Sequence, residues 1–237
     1  MCGICGYIDY KRNYTKSEPE QRELIRAMAE TLKSRGPDSG GEWIGEHAVF
    51  GHRRLAVIDV ERGAQPMKRV SEGYEFVIAY NGELYNTAEL RSDLESCGYE
   101  FTTDSDTEVL LYSYIHYGAG CARRLNGIYA FAIYDSMRQC VFLCRDRFGV
   151  KPLFYSQQGT SLVFGSEIKA LFKYPGINPE LGIEGLCELF AISPARTAGC
   201  GVFKGIEELK PGTCMYISRR GIHTAKYWQL ESTEHRD

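Results

Sequence analysis

Three segments of the chain combine a helix-capping sequence with apolar residues at helical spacing. The first begins at Ser17, where a capping box with proline in the first turn predicts a helix that ends at Ser34. Asn86 and Ser105 begin two similar segments, which predict two further helices. Two shorter helices are predicted over Glu167–Phe172 and Glu184–Ala191.

Short apolar or alternating runs between turn residues predict antiparallel strands. These runs are His47–Ile58, Tyr74–Tyr80, Ile128–Tyr134, Gln139–Arg145, Pro152–Tyr155 and Ser161–Phe164. The turn-rich segment 35–41 predicts a loop, and the polar segment Gln229–Asp237 predicts a linker or a frayed end. Because the helices cluster between groups of strands, without strand–helix–strand alternation, the pattern predicts an α+β layered domain.

Length and charge narrow the class of protein. With 237 residues and a hydrophobic content of 43%, the chain has enough apolar material for one large domain. A net charge of −3 and scattered Lys and Arg residues argue against nucleic-acid binding. The sequence has neither an apolar stretch of membrane-spanning length nor the pattern of a signal peptide, so we expect a cytoplasmic protein.

The chain contains nine cysteines, and an odd number without an export signal predicts reduced thiols rather than a disulfide framework. Cys2-x-x-Cys5 matches half of a zinc site or a redox pair, but no second such pair follows. Cys140 and Cys144 flank an apolar run, where buried structural thiols are the commoner case. We therefore expect no metal site.

Cys2 is the candidate nucleophile. It directly follows Met1, so removal of that methionine places a thiol and a free α-amine on the same residue. An α-amino group titrates at about pH 7.7–8.0 and is partly neutral at cellular pH, so it can accept the thiol proton directly or through a water molecule. The start of the chain then supplies both a nucleophile and its base.

Amide cleavage by a thiol also needs hydrogen-bond donors where negative charge develops on the carbonyl oxygen. The side-chain amide of Asn81 and the N–H of Gly82 can supply two donors at the end of an apolar strand. The alternative is a simple hairpin turn, because Asn-Gly is the strongest short hairpin signal. The spacing alone leaves both interpretations open.

Charged residues of both signs are available to recognise a substrate. Arg53 and Arg54 lie in a strand-like segment, so their side chains point to opposite faces and only one can enter a given cleft. An inward arginine can hold a carboxylate with two hydrogen bonds. Asp106 either presents a carboxylate to an ammonium group or stabilises the N-terminus of its helix.

Seven sequence runs occur together in one order. They are Cys2-Gly3-Ile4, Arg35-Gly36-Pro37-Asp38, His52-Arg53-Arg54-Leu55, Tyr80–Asn86, Ser105-Asp106-Thr107-Glu108, Asp146–Leu153 and Ser166–Leu171. As a set, over residues 2–218, they resemble the class II glutamine amidotransferase domain, in the form that opens glutamine-hydrolysing asparagine synthetases.

The resemblance implies an N-terminal nucleophile hydrolase fold, a four-layer αββα sandwich with two antiparallel sheets. It implies that Cys2 attacks the side-chain amide of glutamine, that its own amine carries the proton, and that a thioester forms and is hydrolysed by water. Asn81 and Gly82 correspond to the oxyanion hole of the family.

The resemblance also assigns the residues that bind the substrate. Arg54, the arginine directly before leucine, matches the residue that holds the α-carboxylate of glutamine, and Leu55 beside it is a further substrate-binding candidate. Glu83 and Asp106 match residues near the α-ammonium group. Arg53 then takes the outward face.

Family members of the asparagine synthetase type continue into an ATP-using half with a Ser-Gly-Gly-x-Asp-Ser loop, which this sequence lacks. We therefore expect an amidotransferase domain over 2–218 and a tail or linker over 219–237, toward a synthetase domain or subunit. ATP, magnesium and aspartate are expected only in that absent part, so no cofactor is expected in this chain. The chain is then an excised domain, a truncated product or a stand-alone subunit. The sequence leaves open whether it forms a homodimer.

Three rival interpretations remain at this level. One is a glutaminase domain that serves another acceptor, such as a sugar phosphate, phosphoribosyl diphosphate or 2-oxoglutarate. The second is a glutamine-binding module without turnover. The third treats Cys2 as an ordinary buried thiol and Asn81-Gly82 as only a turn. Because the candidate residues occur together and in the order found in the family, we favour the interpretation as a glutaminase.

Overall fold

The computed structural model describes residues 1–56, 62–193 and 195–232. Within these ranges, strands form two antiparallel sheets of six strands each. The strands are β1 (Gly3–Ile8), β2 (Ser39–Ile44), β3 (Ala48–Arg54), β4 (Met67–Ser71), β5 (Tyr74–Leu84), β6 (Gly127–Asp135), β7 (Cys140–Arg145), β8 (Phe154–Gln158), β9 (Ser161–Gly165), β10 (Ile206–Glu208), β11 (Thr213–Ser218) and β12 (Gly221–Lys226).

The helices are α1 (Glu18–Glu30), α2 (Thr87–Ser96), α3 (Asp106–Tyr117), α4 (Cys121–Arg124), α5 (Ile168–Leu171) and α6 (Ile183–Cys187), with short 3₁₀ turns at Tyr14–Ser17 and Gly118–Gly120 and a π turn at Glu188–Ile192. Helices α1–α5 cover the outer faces of the sheets, and α6 is largely exposed. No helix in the described ranges has both the length and the apolar character needed to cross a bilayer.

The order of the strands is β10-β8-β9-β1-β3-β2 in the first sheet and β12-β11-β7-β6-β5-β4 in the second. The alternation of side chains along β1 explains how the layers pack. Ile4 and Ile8 point into the core between the two sheets, whereas Cys5 and Tyr7 point to the core beneath α1. A third core joins the second sheet to α2 and α3. The predicted α+β sandwich with two antiparallel sheets is confirmed.

The capping sequences begin helices where expected. Ser17 is the N-cap of α1, which has proline in its first turn, although the α-helix ends at Glu30 rather than at Ser34. Ser105 is the N-cap of α3, and its side chain accepts a hydrogen bond of 3.1 Å from the backbone N–H of Thr107. The cap fixes the first turn of α3, which contains Asp106.

Two local predictions were wrong. The segment 35–41 is not entirely a loop, because Ser39 begins β2, which pairs with β3. The hairpin interpretation of Asn81-Gly82 fails because β5 continues through both residues and pairs with β6 as far as Leu84. Glycine is needed at position 82 for close packing, since a Cβ there would lie 2.4 Å from the carbonyl oxygen of Ile128.

Other boundaries also differ from the expectations. The strands β2, β4, β10, β11 and β12 were not predicted. Strand β12 lies beyond the predicted boundary at 218 and pairs with β11. The boundary and the role of the tail stay predictions. Val57–Ile58, the predicted end of one strand, and 233–237 of the tail lie outside the described residues.

Glu108 holds the first turn of α3 against the loop before it. Its side chain is fully buried and accepts hydrogen bonds from the backbone N–H and hydroxyl groups of Thr102 and Thr103, at 2.7–3.1 Å. Arg69 adds an ion pair at 2.8 Å. Burial alone would raise the pKa of Glu108, but the hydrogen bonds from Thr103 and Arg69 outweigh it and hold the pKa below its ordinary value.

We predict that Glu108→Gln lowers the free energy of unfolding by about 3 kcal/mol at pH 7, because it removes the charged partner of a buried ion pair. Urea denaturation measures this difference. The depressed pKa means that the contribution is present at neutral pH and is lost on acidification, so the difference between the two proteins should shrink at low pH. Glu95→Gln, on the exposed face of α2, should change stability by no more than about 0.5 kcal/mol. Equal effects of the two substitutions would contradict the prediction.

Candidate active site

A cavity of about 170 Å³ opens where the start of β1, the end of β3, the end of β5 and the N-terminus of α3 meet. All the residues selected from the sequence as site candidates line it: Cys2, Arg54, Leu55, Asn81, Gly82, Glu83 and Asp106. The remaining lining residues are Met1, Gly63, Gln65, Tyr80, Ser105, Thr107 and Lys151. The fold thus brings together residues from six separate parts of the chain.

The pairing of β1 with β3 places Cys2 beside Arg54. Gly3 lies opposite Arg53 in the register, so Cys2 and Arg54 occupy the next position along the two strands. The Cys2 thiol lies 3.7 Å from the carbonyl oxygen of Leu55. Arg35 donates a hydrogen bond of 3.0 Å from Nε to the carbonyl oxygen of Cys2, which ties the start of the chain to the end of α1.

The two adjacent arginines of β3 point to opposite faces of the strand. Arg54 lines the cavity and is only 8% exposed. Arg53 donates a hydrogen bond of 3.1 Å from Nε to the carbonyl oxygen of Gly36 and lies 3.6 Å from Glu30, away from the cavity. Arg54 is therefore the arginine whose position allows it to reach a molecule in the cavity.

Asn81 presents a side-chain amide to the cavity. The residue is 1% exposed, and its Nδ2 group is a buried donor without a hydrogen-bond partner among the described residues. A buried donor left unpaired is unfavourable by about 1–3 kcal/mol, which is rarely tolerated outside functional sites. The amide is available to an acceptor that enters the cavity.

The N–H of Gly82 points away from β6. Gly82 lies opposite Tyr129, which directs its own N–H and C=O to Asp146, at 3.2 and 2.8 Å. Alternation in an antiparallel pair therefore turns the Gly82 N–H to the other edge of β5, where β4 has already ended. On this edge the N–H groups of Tyr80 and Leu84 bind side chains. The Gly82 N–H lies between them and can form a donor pair with Asn81.

Asp106 is held at the floor of the site by two donors from β5. Its Oδ2 accepts hydrogen bonds from the hydroxyl of Tyr80 at 2.8 Å and from the N–H of Leu84 at 3.2 Å. Burial raises the pKa of Asp106 above its ordinary value, although these hydrogen bonds act in the opposite direction. A cation in the cavity would favour the carboxylate form. Glu83 lies at the exposed mouth of the same cavity.

Tyr80 connects the two sheets. Its carbonyl oxygen lies 3.1 Å from Nε2 of His52 in β3, and its N–H donates to Oε1 of Gln65 at 2.7 Å. Burial lowers the pKa of His52 to about 4, so the ring is neutral at pH 7. Because Nε2 faces a carbonyl oxygen, it must carry the ring proton. The backbone next to Asn81 is thereby fixed from both sides.

The cysteines of the Cys2-x-x-Cys5 pair lie in different environments. Cys2 lines the cavity, whereas Cys5 is fully buried beneath α1, where burial raises its pKa far above the ordinary value. All nine cysteines are free thiols. Among the described residues, no group of three or more His, Cys, Asp or Glu side chains could hold a metal ion.

Sequence reasoning did not identify Lys151, Tyr80 or Gln65 as parts of the site. Tyr80 and Lys151 occur within two of the runs that carried the family resemblance, so their proximity to the site was implicit there. Gln65 lies outside those runs and precedes β4, which was not predicted. Its position depends on a tertiary contact and left no local signal.

The fold matches that of known amidotransferases. The solved structure of glutamine phosphoribosylpyrophosphate amidotransferase from Bacillus subtilis covers 97% of this chain with a TM-score of 0.69 and 20% identity, and the match spans 50% of that protein. At this level of identity the likeness concerns the fold alone. The predicted N-terminal nucleophile fold is confirmed.

The family is shown by sequence. A family model described as glutamine amidotransferase domain matches residues 1–228. Asparagine synthetase [glutamine-hydrolyzing] 3 of Bacillus subtilis is 46% identical over the whole chain, which spans 38% of that protein. Asparagine synthetase [glutamine-hydrolyzing] 1 of the same organism is 44% identical over 72% of this chain, and the match spans 26% of that protein. This chain belongs to the glutamine amidotransferase domain family.

We predict that Tyr80→Phe raises the pKa of Asp106 further, because the carboxylate loses the hydrogen bond from the Tyr80 hydroxyl while it stays buried. Titration of the ¹³C-labelled aspartate carboxyl groups by NMR measures the shift. Tyr74→Phe, at the exposed start of the same strand, should leave the Asp106 titration unchanged. An Asp106 titration that is the same in Tyr80→Phe and in the wild type would contradict the assigned contact.

Proposed function

We propose that this chain hydrolyses L-glutamine to glutamate and ammonia, with Cys2 as the nucleophile after Met1 has been removed. The observation that carries the proposal is the cavity, which places the Cys2 thiol with the Asn81 amide, the Arg54 guanidinium and the Asp106 carboxylate. Membership of the glutamine amidotransferase domain family supports the same reaction.

The reaction proceeds through a thioester. The Cys2 sulfur attacks the side-chain amide carbon of glutamine, and the α-amine of Cys2 takes the thiol proton. Negative charge develops on the carbonyl oxygen, where Asn81 Nδ2 and the Gly82 N–H donate hydrogen bonds. The amine then delivers the proton to the leaving nitrogen and ammonia departs. Water hydrolyses the thioester to glutamate and restores the thiol.

The two charged ends of free glutamine match the remaining lining residues. The Arg54 guanidinium binds the α-carboxylate with its planar set of donors. Asp106 binds the α-ammonium group, with Glu83 at the mouth of the cavity and Leu55 along its wall. Since an ammonium group beside Asp106 favours the ionised carboxyl group, substrate binding opposes the effect of burial on its pKa.

We further propose that the ammonia serves asparagine synthesis. The two Bacillus subtilis relatives are named glutamine-hydrolysing asparagine synthetases, and the chain spans 38% of the length of the first of them. In this proposal a synthetase domain or subunit outside this chain receives the ammonia and uses aspartate and ATP. ATP and magnesium belong to that part, and the present chain needs no cofactor for the hydrolysis of glutamine.

We predict that Cys2→Ala reduces the release of ammonia and glutamate by about 10³-fold or more, because no other group in the cavity is placed to form the thioester. Enzymatic assay of both products, with intact mass spectrometry to show that Met1 is absent, measures this. Cys97→Ala changes an exposed cysteine and should retain activity. A permanent N-terminal tag should abolish activity as Cys2→Ala does. Substantial ammonia release by Cys2→Ala would overturn the mechanism.

Asn81→Ala should lower kcat by about 10²–10³-fold and leave KM for glutamine nearly unchanged, since the amide acts on charge that develops only during the reaction. Steady-state kinetics with glutamine separates the two parameters. Asn178→Ala, an exposed residue far from the site in the chain, is the matched control. An increase in KM at unchanged kcat would mean that Asn81 binds the substrate instead of stabilising the oxyanion.

A further inference from the structure

Lys151 is a buried cation in the cavity that the proposed reaction leaves without a role. The residue is 7% exposed and lines the cavity together with Cys2. Its Nζ lies 3.0 Å from the Met1 thioether, and none of the described carboxylates forms an ion pair with it. Burial of an ammonium group without an acidic partner is strongly unfavourable, so such groups are concentrated at functional sites.

The loop that carries Lys151 is built to hold it in place. Both oxygens of the Asp146 carboxylate accept backbone hydrogen bonds, at 3.0 Å from the N–H of Val150 and at 2.9 Å from that of Lys151. Arg145 donates from Nε to the carbonyl oxygen of Lys151 at 2.8 Å. Gly149 adopts a φ of +67°, which only glycine accepts readily in so tight a loop. The run Asp146–Leu153, which is part of the family resemblance, thus forms a loop that directs the Lys151 ammonium group into the cavity.

We propose that Lys151 is a positioning residue for the Cys2 nucleophile: once Met1 is removed, its positive charge opposes protonation of the Cys2 α-amine and favours loss of the thiol proton. This inference rests on the proposed function. Before removal, the Met1 thioether lies beside the Lys151 ammonium group. Removal takes this thioether away and leaves the free amine on Cys2, which lines the same cavity as Lys151.

The sign of the effect follows from simple electrostatics. A nearby positive charge disfavours an ammonium group and favours a thiolate, and both effects help the Cys2 pair to lose its first proton at lower pH. The interaction is mutual. Burial and the charge of Arg35 lower the pKa of Lys151, whereas Asp146, Cys2 and Glu83 raise it.

Other charged groups face the Cys2 pair and stay in place when Lys151 is changed. They are Arg35 after α1 with its partner Glu167 before α5, Arg54 at the end of β3, Glu83 in β5 and Asp106 in α3. The titratable hydroxyl of Tyr80 in β5 also faces Cys2. A comparison of variants at position 151 alone therefore isolates the contribution of its charge.

The test compares Lys151→Met, which keeps the length of the side chain and removes the charge, with Lys151→Arg, which keeps the charge. The dependence of kcat/KM for glutamine on pH is measured for the full chain after removal of Met1, which intact mass spectrometry checks. We expect Lys151→Met to move the acidic limb to higher pH by about one unit, with recovery of the rate under alkaline conditions. Lys151→Arg should keep the limb of the wild type.

Three results would overturn the proposal. An unchanged acidic limb in Lys151→Met would show that the charge does not act on Cys2. An equal loss of rate at every pH in both variants would indicate a structural role, which thermal denaturation would detect. A rise in KM for glutamine without a shift of the limb would assign Lys151 to the substrate carboxylate.

A second measurement separates this inference from the proposed function. The rate at which iodoacetamide alkylates Cys2 reports its thiolate content without glutamine, and peptide mass mapping follows it against pH. The exposed Cys97 and Cys187 serve as internal references. If glutamine is not hydrolysed but alkylation of Cys2 still shifts to higher pH in Lys151→Met, the proposed function fails and the inference stands. If glutamine is hydrolysed and neither profile shifts, the inference alone fails.

Discussion

The site depends on the contacts made by one residue of β5. Tyr80 binds His52 of the other sheet through its carbonyl oxygen, Gln65 through its N–H and Asp106 through its hydroxyl. Three layers of the sandwich therefore meet at a single backbone position, directly before Asn81. Antiparallel pairing with β6 sets the direction of each N–H group and side chain that follows along β5. Once Tyr80 is fixed, the directions of the Asn81 amide and the Gly82 N–H at the cavity are therefore determined.

The residues left without partners at the cavity are as informative as the paired ones. The Asn81 amide has no acceptor among the described residues, and Lys151 has only a thioether. The buried carboxylates of Asp106 and Glu108 nearby, by contrast, accept hydrogen bonds from neighbouring groups. Folding alone would select against such unpaired groups, so their presence together beside Cys2 indicates a surface shaped for a ligand that completes them.

Local sequence signals predicted the elements whose stability is local. Ser105 caps α3 as expected, through a hydrogen bond to an N–H only two residues away. Helix α1 begins after Ser17 as expected, with proline in its first turn, although the Ser17 side chain makes no cap hydrogen bond. The signals failed where long-range pairing decides. Asn81-Gly82 is a turn by propensity but a strand by its pairing with β6. β4 and β10 are short strands at the edges of their sheets, and they owe their extended form to β5 and β8. The candidate residues were identified because their motifs occur in the same order as in the family. Their position around one cavity follows from the register of the strands.

The neutral ring of His52 makes the joint between the sheets sensitive to acid. The unfolded chain would protonate this imidazole near its ordinary pKa of 6.5, whereas the folded chain resists protonation until about pH 4. Between those limits the folded state loses stability as the pH falls, by up to about 1.4 kcal/mol per pH unit. A proton that does enter the ring must be accommodated beside Arg53 and Arg54, whose charges oppose it. Mild acidity therefore lowers the stability of the fold through a residue at the seam that supports its cavity, whereas the apolar side chains of the cores on either side do not titrate.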